Sequence, residues 1–199
     1  EELKSIEASM SVYDGDSEIT KFNQLKAATW FDLSTEMYRV VQESLRISLL
    51  TGGAFDFTLG EVINLWGFGN SPKLDSLPSE TDIERALMDS GIDSIIVSNT
   101  HPAVRKENPN ISLNLSAIAK GYAVDRTAQL LDGKGLKNYL VEIGGEVRTN
   151  GQKNGTSPWM IAIEKPDFSR IAIHKVIPLV ETSMATSGDY RNVVELAGN

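Results

Sequence analysis

The chain has 199 residues, 41% apolar and 23% charged, which is the make-up of an ordinary globular domain with enough material for one good core. Nineteen basic against 27 acidic residues leave a net charge of −8, a field that repels nucleic acid and anionic membrane surfaces. With no Cys there is no disulfide, thiolate metal site or cysteine nucleophile; two His disfavour a multi-histidine metal centre, and no apolar run reaches the roughly 18 residues of a membrane span.

The acidic start EELKSIEASM lacks the basic and apolar pattern of a signal peptide, and a short helix is expected around Leu3 to Met10. In SVYDGDSEITKFNQ, Asp14, Gly15 and Asp16 predict a turn that caps a second short helix. Ser34 predicts the N-cap of STEMYRVVQESLRISLLTGG, with Met37, Val40, Val41, Leu45 and Leu49 as its inner stripe and Gly52 and Gly53 as its stop. AFDF reads as a brief strand, and Thr58 and Glu61 stand at capping-box spacing before a short helix that ends at Gly67.

SETDIERALMDSG predicts a surface helix with Ser79 as cap, Ile83 and Leu87 as its buried pair and Gly91 as stop. SIIVS and ISLNLS flank the Pro-broken loop NTHPAVRKENPN, and the segment reads as two or three paired strands. NLSAIAKGYAVDR then opens a helix, with Ser116 as expected N-cap and Ala117, Gly121, Val124, Ala128 and Leu131 on one face. Beyond Gly133 and Gly135, YLVEIG, EVRTN, WMIAIEK, IAIHKV and PLVETS read as successive strands. Helices early and strands late predict an α+β fold, antiparallel sheet packed against helices in a single compact domain.

Three stretches combine small residues with isolated polar ones: GGAFDFTLG, NLSAIAKGYAVD and EIGGEVRTNG. At the start of the second, exposed amides beside Ser116 suit an anionic oxygen, with Lys120 one turn on; equally, Lys120 reaches solvent and Gly121 admits a closely packed strand. Asp56, flanked by Phe55 and Phe57, is either solvated or an acceptor for a ligand at a pocket rim. Gly144 and Gly145 form either a bulge or tight hairpin, or a place where backbone approaches a flat ring. His101 and His174 read as structural or solvated. P-loop, nucleophile-elbow, HExxH and dinucleotide GxGxxG templates find no match.

In this order, MSVYDGDSEITKFNQ, TGGAFDFTLGEVINLWGFG, LNLSAIAKGYAVDR, YLVEIGGEVRTNG, WMIAIEKP and ATSGDYRN resemble the ApbE family of FAD:protein FMN transferases over nearly the whole chain, an ApbE or T-fold-like architecture. The resemblance implies a Mg²⁺-dependent enzyme that cleaves FAD, joins FMN to a Ser or Thr hydroxyl of a target protein and releases AMP. Its acceptors would be flavinylated subunits of membrane electron-transfer complexes, and its place periplasmic, commonly as a lipid-anchored lipoprotein. By the same resemblance Tyr13, Ala54, Phe55, Asp56, Asn114, Ser116, Lys120, Gly144 and Gly145 meet FAD, and the Ala117 carbonyl helps to hold Mg²⁺.

Two departures accompany it. The family commonly has Asp where this chain has Asn114, which removes a charge from the contact to FAD. Residues 1–199 are expected to be the core of the transferase domain, without the family's export segment and without its later His-containing and metal-binding segment. No catalytic residue is assigned. A Mg²⁺-dependent FAD pyrophosphatase and a flavin-binding module without chemistry remain alternatives, and ATSGDYRN raises self-flavinylation at Thr186 or Ser187 against the plainer reading of a turn.

Overall fold

The computed structural model describes residues 1–26, 28–70, 76–166 and 172–188. Two compact units divide the backbone, one built from residues up to Ala119 and the other beginning at Lys120.

The first unit contains α1 (Glu2–Met10), α2 (Glu18–Gln24), β1 (Phe31–Asp32), α3 (Thr35–Leu50), α4 (Gly60–Leu65), α5 (Glu80–Met88), β2 (Ile95–Val97) and β3 (Ala103–Lys106). β1, β3 and β2 form an antiparallel sheet in that order, with Phe31 opposite Val104 and Ile95 opposite Lys106. Its buried apolar residues include Ile19, Phe22, Met37, Val40, Val41, Val104, Ile111, Leu113 and Leu115.

Local chemistry explains where these elements start and stop. Ser34 caps α3 as expected, its Oγ accepting from the Met37 amide at 3.2 Å. The helix stops where Gly52 (φ +61°) and Gly53 (φ +85°) turn left-handed and the Gly53 amide reaches back to the Ser48 carbonyl at 2.9 Å. The inner stripe departs from expectation in its second half: Ser44 and Ser48 are buried, whereas Leu49 is 65% exposed. Steps of four, three and four from Met37 lead through Val41 to Ser44 and Ser48, and the Ser44 hydroxyl is satisfied by the Val40 carbonyl at 2.8 Å.

Other expectations are corrected. Ser17, not the Asp14–Asp16 turn, caps α2 through the Thr20 amide. AFDF is a turn and not a strand. Thr58 does not cap α4; its hydroxyl donates to Asp56 Oδ1 at 2.6 Å and accepts from the Gly91 amide at 2.7 Å, so it ties two loops together. Ser79 does cap α5 and the helix lies on the surface, but it buries no residue and Leu87 is 48% exposed. The loop between SIIVS and ISLNLS contains β3, and residues 111–115 are extended chain without a place in that sheet.

α6 (Ser116–Gly133) carries its first turn in the first unit and the remainder in the second. The second unit adds β4 (Tyr139–Ile143), β5 (Glu146–Asn150), β6 (Trp159–Glu164), β7 (Ile173–Leu179) and β8 (Ser183–Met184). β4, β5 and β8 make one antiparallel sheet, and β6 pairs with β7 in another. Val124 and Ala128 of α6 pack with Tyr139 and Val141 of β4, joined by Leu131 and Ile143. IAIHKV and PLVETS are not two strands: β7 runs through Pro178, which an edge of a two-stranded sheet tolerates because the missing donor can face outward. All strand pairings described are antiparallel, so the α+β expectation holds.

Candidate functional site

Extended residues 111–115 alternate between two duties. Ile111, Leu113 and Leu115 are fully buried, which anchors the segment and leaves Ser112 and Asn114 to other contacts. The Asn23 side chain grips the Leu113 peptide at both ends, its Nδ2 donating to the carbonyl at 2.9 Å and its Oδ1 accepting from the amide at 2.8 Å. Such pairing replaces the neighbouring strand that the segment lacks. Opposite it, the Gly60 amide donates to the Ser112 carbonyl at 2.9 Å, and a Cβ on Gly60 would stand 2.5 Å from that oxygen, so only glycine allows the approach.

These ties enclose a cleft of ≈ 360 Å³ in the first unit. Asn23, Gln24, Asn64, Asn70 and Asn114 line it with side-chain amides, and Lys26 and Glu61 add one charge of each sign. A ring of amides supplies both donors and acceptors, which suits the edge of a heterocycle or a set of hydroxyls more than a bare anion.

Asn114 also decides how α6 begins. Its Oδ1 accepts from the Ser116 amide at 2.9 Å, and its own amide donates to the Phe57 carbonyl at 2.9 Å. Asn114 therefore supplies the cap bond expected of Ser116, which is instead the first helical residue and exposed. Ala117 follows, also exposed. Gly121 is exposed too, and a Cβ placed on it would meet nothing within 4 Å. Among the described residues no strand packs against the helix at this position, and only Val124 and Ala128 of the expected face are buried.

The remaining candidates of the first unit sit apart from the cleft lining. Asp56 lies in a turn, where its Oδ1 accepts from the Thr58 amide at 2.8 Å and from the Thr58 hydroxyl, so it stabilises its own loop. Phe57 beside it is buried, Phe55 is half-buried and Ala54 is exposed. Tyr13 follows the lining residue Val12 and is 64% exposed, with its hydroxyl donating to the Phe68 carbonyl at 3.2 Å. His101 takes up a loop position with Nδ1 3.0 Å from the Thr100 hydroxyl, and His174 is exposed on β7.

In the second unit Gly144 (φ +58°) and Gly145 (φ +91°) are the two-residue turn between β4 and β5, the tight hairpin that two left-handed residues permit. Lys120 lies across it. Its Nζ is 3.3 Å from the Gly144 carbonyl and 3.3 Å from a Glu146 carboxylate oxygen, and a Cβ on Gly144 would press to 2.9 Å from Lys120 Cδ. The ammonium thus has an internal counter-charge. The Thr186 hydroxyl reaches the Gly145 carbonyl at 3.4 Å.

Lys106 carried no expectation from the sequence. It is wholly buried, its Nζ donating to the carbonyls of Asn23 at 3.0 Å and Ile111 at 2.9 Å and standing 5.1 Å from the centre of the Phe22 ring. Burial, helped by the nearby Lys26 charge and opposed by Glu61, pushes its ammonium down from 10.5 to about 8. The lining amides Asn23, Gln24, Asn64 and Asn70 were missed as well; Asn23 and Gln24 end up beside Asn64 of α4 and Asn70 only through folding, and no spacing in a sequence displays that convergence.

Among the described residues no three His, Cys, Asp or Glu are grouped as metal ligands. Ala117 offers one backbone carbonyl, which falls well short of the octahedral oxygen set of Mg²⁺, so these residues do not by themselves compose that centre.

A family model described as the ApbE family matches residues 1–199. The chain is 39% identical over 196 residues to the FAD:protein FMN transferase of Vibrio cholerae, covering 98% of this chain and 58% of that protein. It is 40% identical over 200 residues to the FAD:protein FMN transferase of Haemophilus influenzae, again 98% of this chain and 58% of the relative. Among solved structures, the flavin transferase ApbE from Vibrio cholerae superposes with a TM-score of 0.87 at 37% identity, over 98% of this chain and 63% of that one. The ApbE protein from Thermotoga maritima gives 0.87 at 32% identity, over 100% and 64%. The chain spans less than two thirds of the length of these relatives, and it belongs to the ApbE family.

Proposed function

We propose that this chain is the FAD-binding core of an FAD:protein FMN transferase. In the reaction a Ser or Thr hydroxyl oxygen of an acceptor protein bonds to the phosphorus of the FMN half, the bond from that phosphorus to the AMP oxygen breaks, and the hydroxyl proton is lost as AMP departs. The carrying observation is the junction at Asn114, which lines the amide-rich cleft and, through its side chain, sets the start of α6. A dinucleotide presents a hydroxyl- and ring-bearing part and a diphosphate. The cleft fits the former; the exposed first turn of α6, at the positive end of the helix dipole, fits the latter. In a chain of net charge −8, such a local positive end is needed to hold an anionic group.

Lys120, Gly144 and Gly145 belong to the same proposal as a separate element of FAD contact, with Lys120 exchanging its hold on Glu146 for the ligand. The Mg²⁺ requirement, the acceptor subunits of electron-transfer complexes and an extracytoplasmic location rest on the family resemblance.

Incubation of the chain with FAD, Mg²⁺ and a flavin-acceptor domain tests the proposal. Flavin fluorescence that stays with the acceptor on a denaturing gel supports transfer. Free FMN with an unlabelled acceptor establishes a pyrophosphatase instead, intact FAD retained after desalting establishes a binding module, and failure to retain or cleave FAD overturns the reading.

A further inference from the structure

Lys106 is the least expected charge in the first unit: a lysine with no exposed surface, held by two carbonyls and a ring and, among the described residues, by no carboxylate. The Asn23 carbonyl belongs to a lining residue, and the Ile111 carbonyl to the residue that immediately precedes the lining stretch 112–114. Asn23 lies in the last turn of α2 and grips Leu113 with its side chain, and Ile111 begins the extended segment that carries Ser112, Leu113 and Asn114 into the lining. One ammonium therefore joins the two stretches of backbone that Asn23 and Leu113 join again a short way along.

We propose that Lys106 is the positioning residue of this cleft, its buried ammonium pinning the Asn23 and Ile111 carbonyls so that the Asn23–Leu113 pairing and the Asn114 amide are held in ligand-binding geometry. The cleft's being a flavin dinucleotide site rests on the function proposed above; the clamp itself does not. Hydrogen bonds from an ammonium are stronger than those from a neutral amine, and attraction to the Phe22 face requires the positive charge. Deprotonation consequently loosens the wall without removing an atom. The charged groups facing Lys106 are Lys26, which follows α2, and Glu61 on α4, and both line the cleft, so an anionic ligand entering there favours the charged form of Lys106. Its titration near pH 8 brings the switch into an accessible range.

The test follows the ¹³C resonances of the Asn23 and Ile111 carbonyls in the ligand-free chain from about pH 6.5 to about pH 9.5, a range that spans the depressed lysine pKa. Both are expected to shift with one common midpoint near pH 8 in the wild type and to stay still in Lys106→Arg, whose charge persists. In parallel, wild-type affinity for FAD is expected to fall about tenfold across the range, the scale of replacing charge-assisted by neutral hydrogen bonds. The Lys106→Met chain is expected to bind weakly and without that slope. Carbonyl resonances that do not titrate overturn the clamp, as does a wild-type affinity profile matching that of Lys106→Met. Resonances that titrate in a chain that never binds FAD leave the clamp standing and remove the cofactor reading. Should Lys106→Met fail to fold, the wild-type and Lys106→Arg profiles decide the matter.

Discussion

Lys106 on β3 of the first unit and Lys120 on α6 of the second carry the same side chain into opposite surroundings. The first is wholly buried and bonded to two backbone carbonyls; the second keeps 47% of its side chain exposed and shares its charge between Glu146 and the Gly144 carbonyl. A buried charge without a counter-ion is strongly coupled to the fold and titrates nearer neutrality. An exposed one with a carboxylate partner is weakly coupled and can exchange partners. The lysine that the family resemblance singled out is the exchangeable one, whereas the lysine that shapes the cleft lies in a stretch that reads as a loop.

The comparison breaks most sharply at Lys106→Glu. That variant puts a carboxylate against two carbonyl oxygens at a wholly buried position, and its expected cost is about 4 kcal/mol in urea unfolding, the scale of an uncompensated buried charge. A loss below about 1 kcal/mol would show that the site opens to water far more readily than its burial implies.

The pH dependence sharpens the contrast and comes next in size. The folded chain releases the Lys106 proton at about 8 and an unperturbed lysine does so at 10.5, so between these values the unfolded state binds more protons. Stability of the wild type relative to Lys106→Met should therefore rise as pH increases through that window, by about 3 kcal/mol over its whole width. Matched thermal or urea melts of the two chains measure the difference, and a flat difference would place the Lys106 pKa at its ordinary value.

Gly60→Ala probes the other wall of the same cleft. Its new methyl would stand 2.5 Å from the Ser112 carbonyl, both atoms being backbone-fixed, and a loss of about 2 kcal/mol with weaker FAD retention is expected. Smallest is Lys120→Glu, which sets two carboxylates side by side with Glu146. Stability should fall by about 1 kcal/mol, because the Lys120 side chain is 47% exposed although that of Glu146 is only 15% exposed, while FAD affinity falls at low salt and recovers in part as salt is added. Unchanged FAD affinity in a low-salt titration would remove Lys120 from the binding surface.

Much of the fold was legible where a residue acts on its own neighbours. Ser34 and Ser79 cap the helices they were expected to cap, Gly52 and Gly53 end α3, and Gly144 and Gly145 turn a hairpin, because each effect is settled within four residues. Errors gathered where distant chain competes for the same group. Thr58 gave up its helix for Asp56 and Gly91, and Asn114 took the cap expected of Ser116 because its carboxamide lies two residues ahead of the helix with its own amide fixed by Phe57. The buried stripe of α3 shifted to Ser44 and Ser48 because burial follows helical angle; the Ser44 hydroxyl bonds to the preceding turn, whereas that of Ser48 meets no partner among the described residues.

From its sequence alone, then, this chain determined its α+β class, its ApbE membership and the six blocks that carry it, since periodicity, caps and ordered motifs are local or cumulative along the chain. Tertiary structure alone decided that Asn23, Asn64 and Asn114 meet around one cleft, that Gly60 must lack a side chain, and that Lys106 lies buried with carbonyls as its partners. The physical reason is that desolvation and hydrogen-bond satisfaction depend on which groups converge in space, and no spacing along the chain records that convergence.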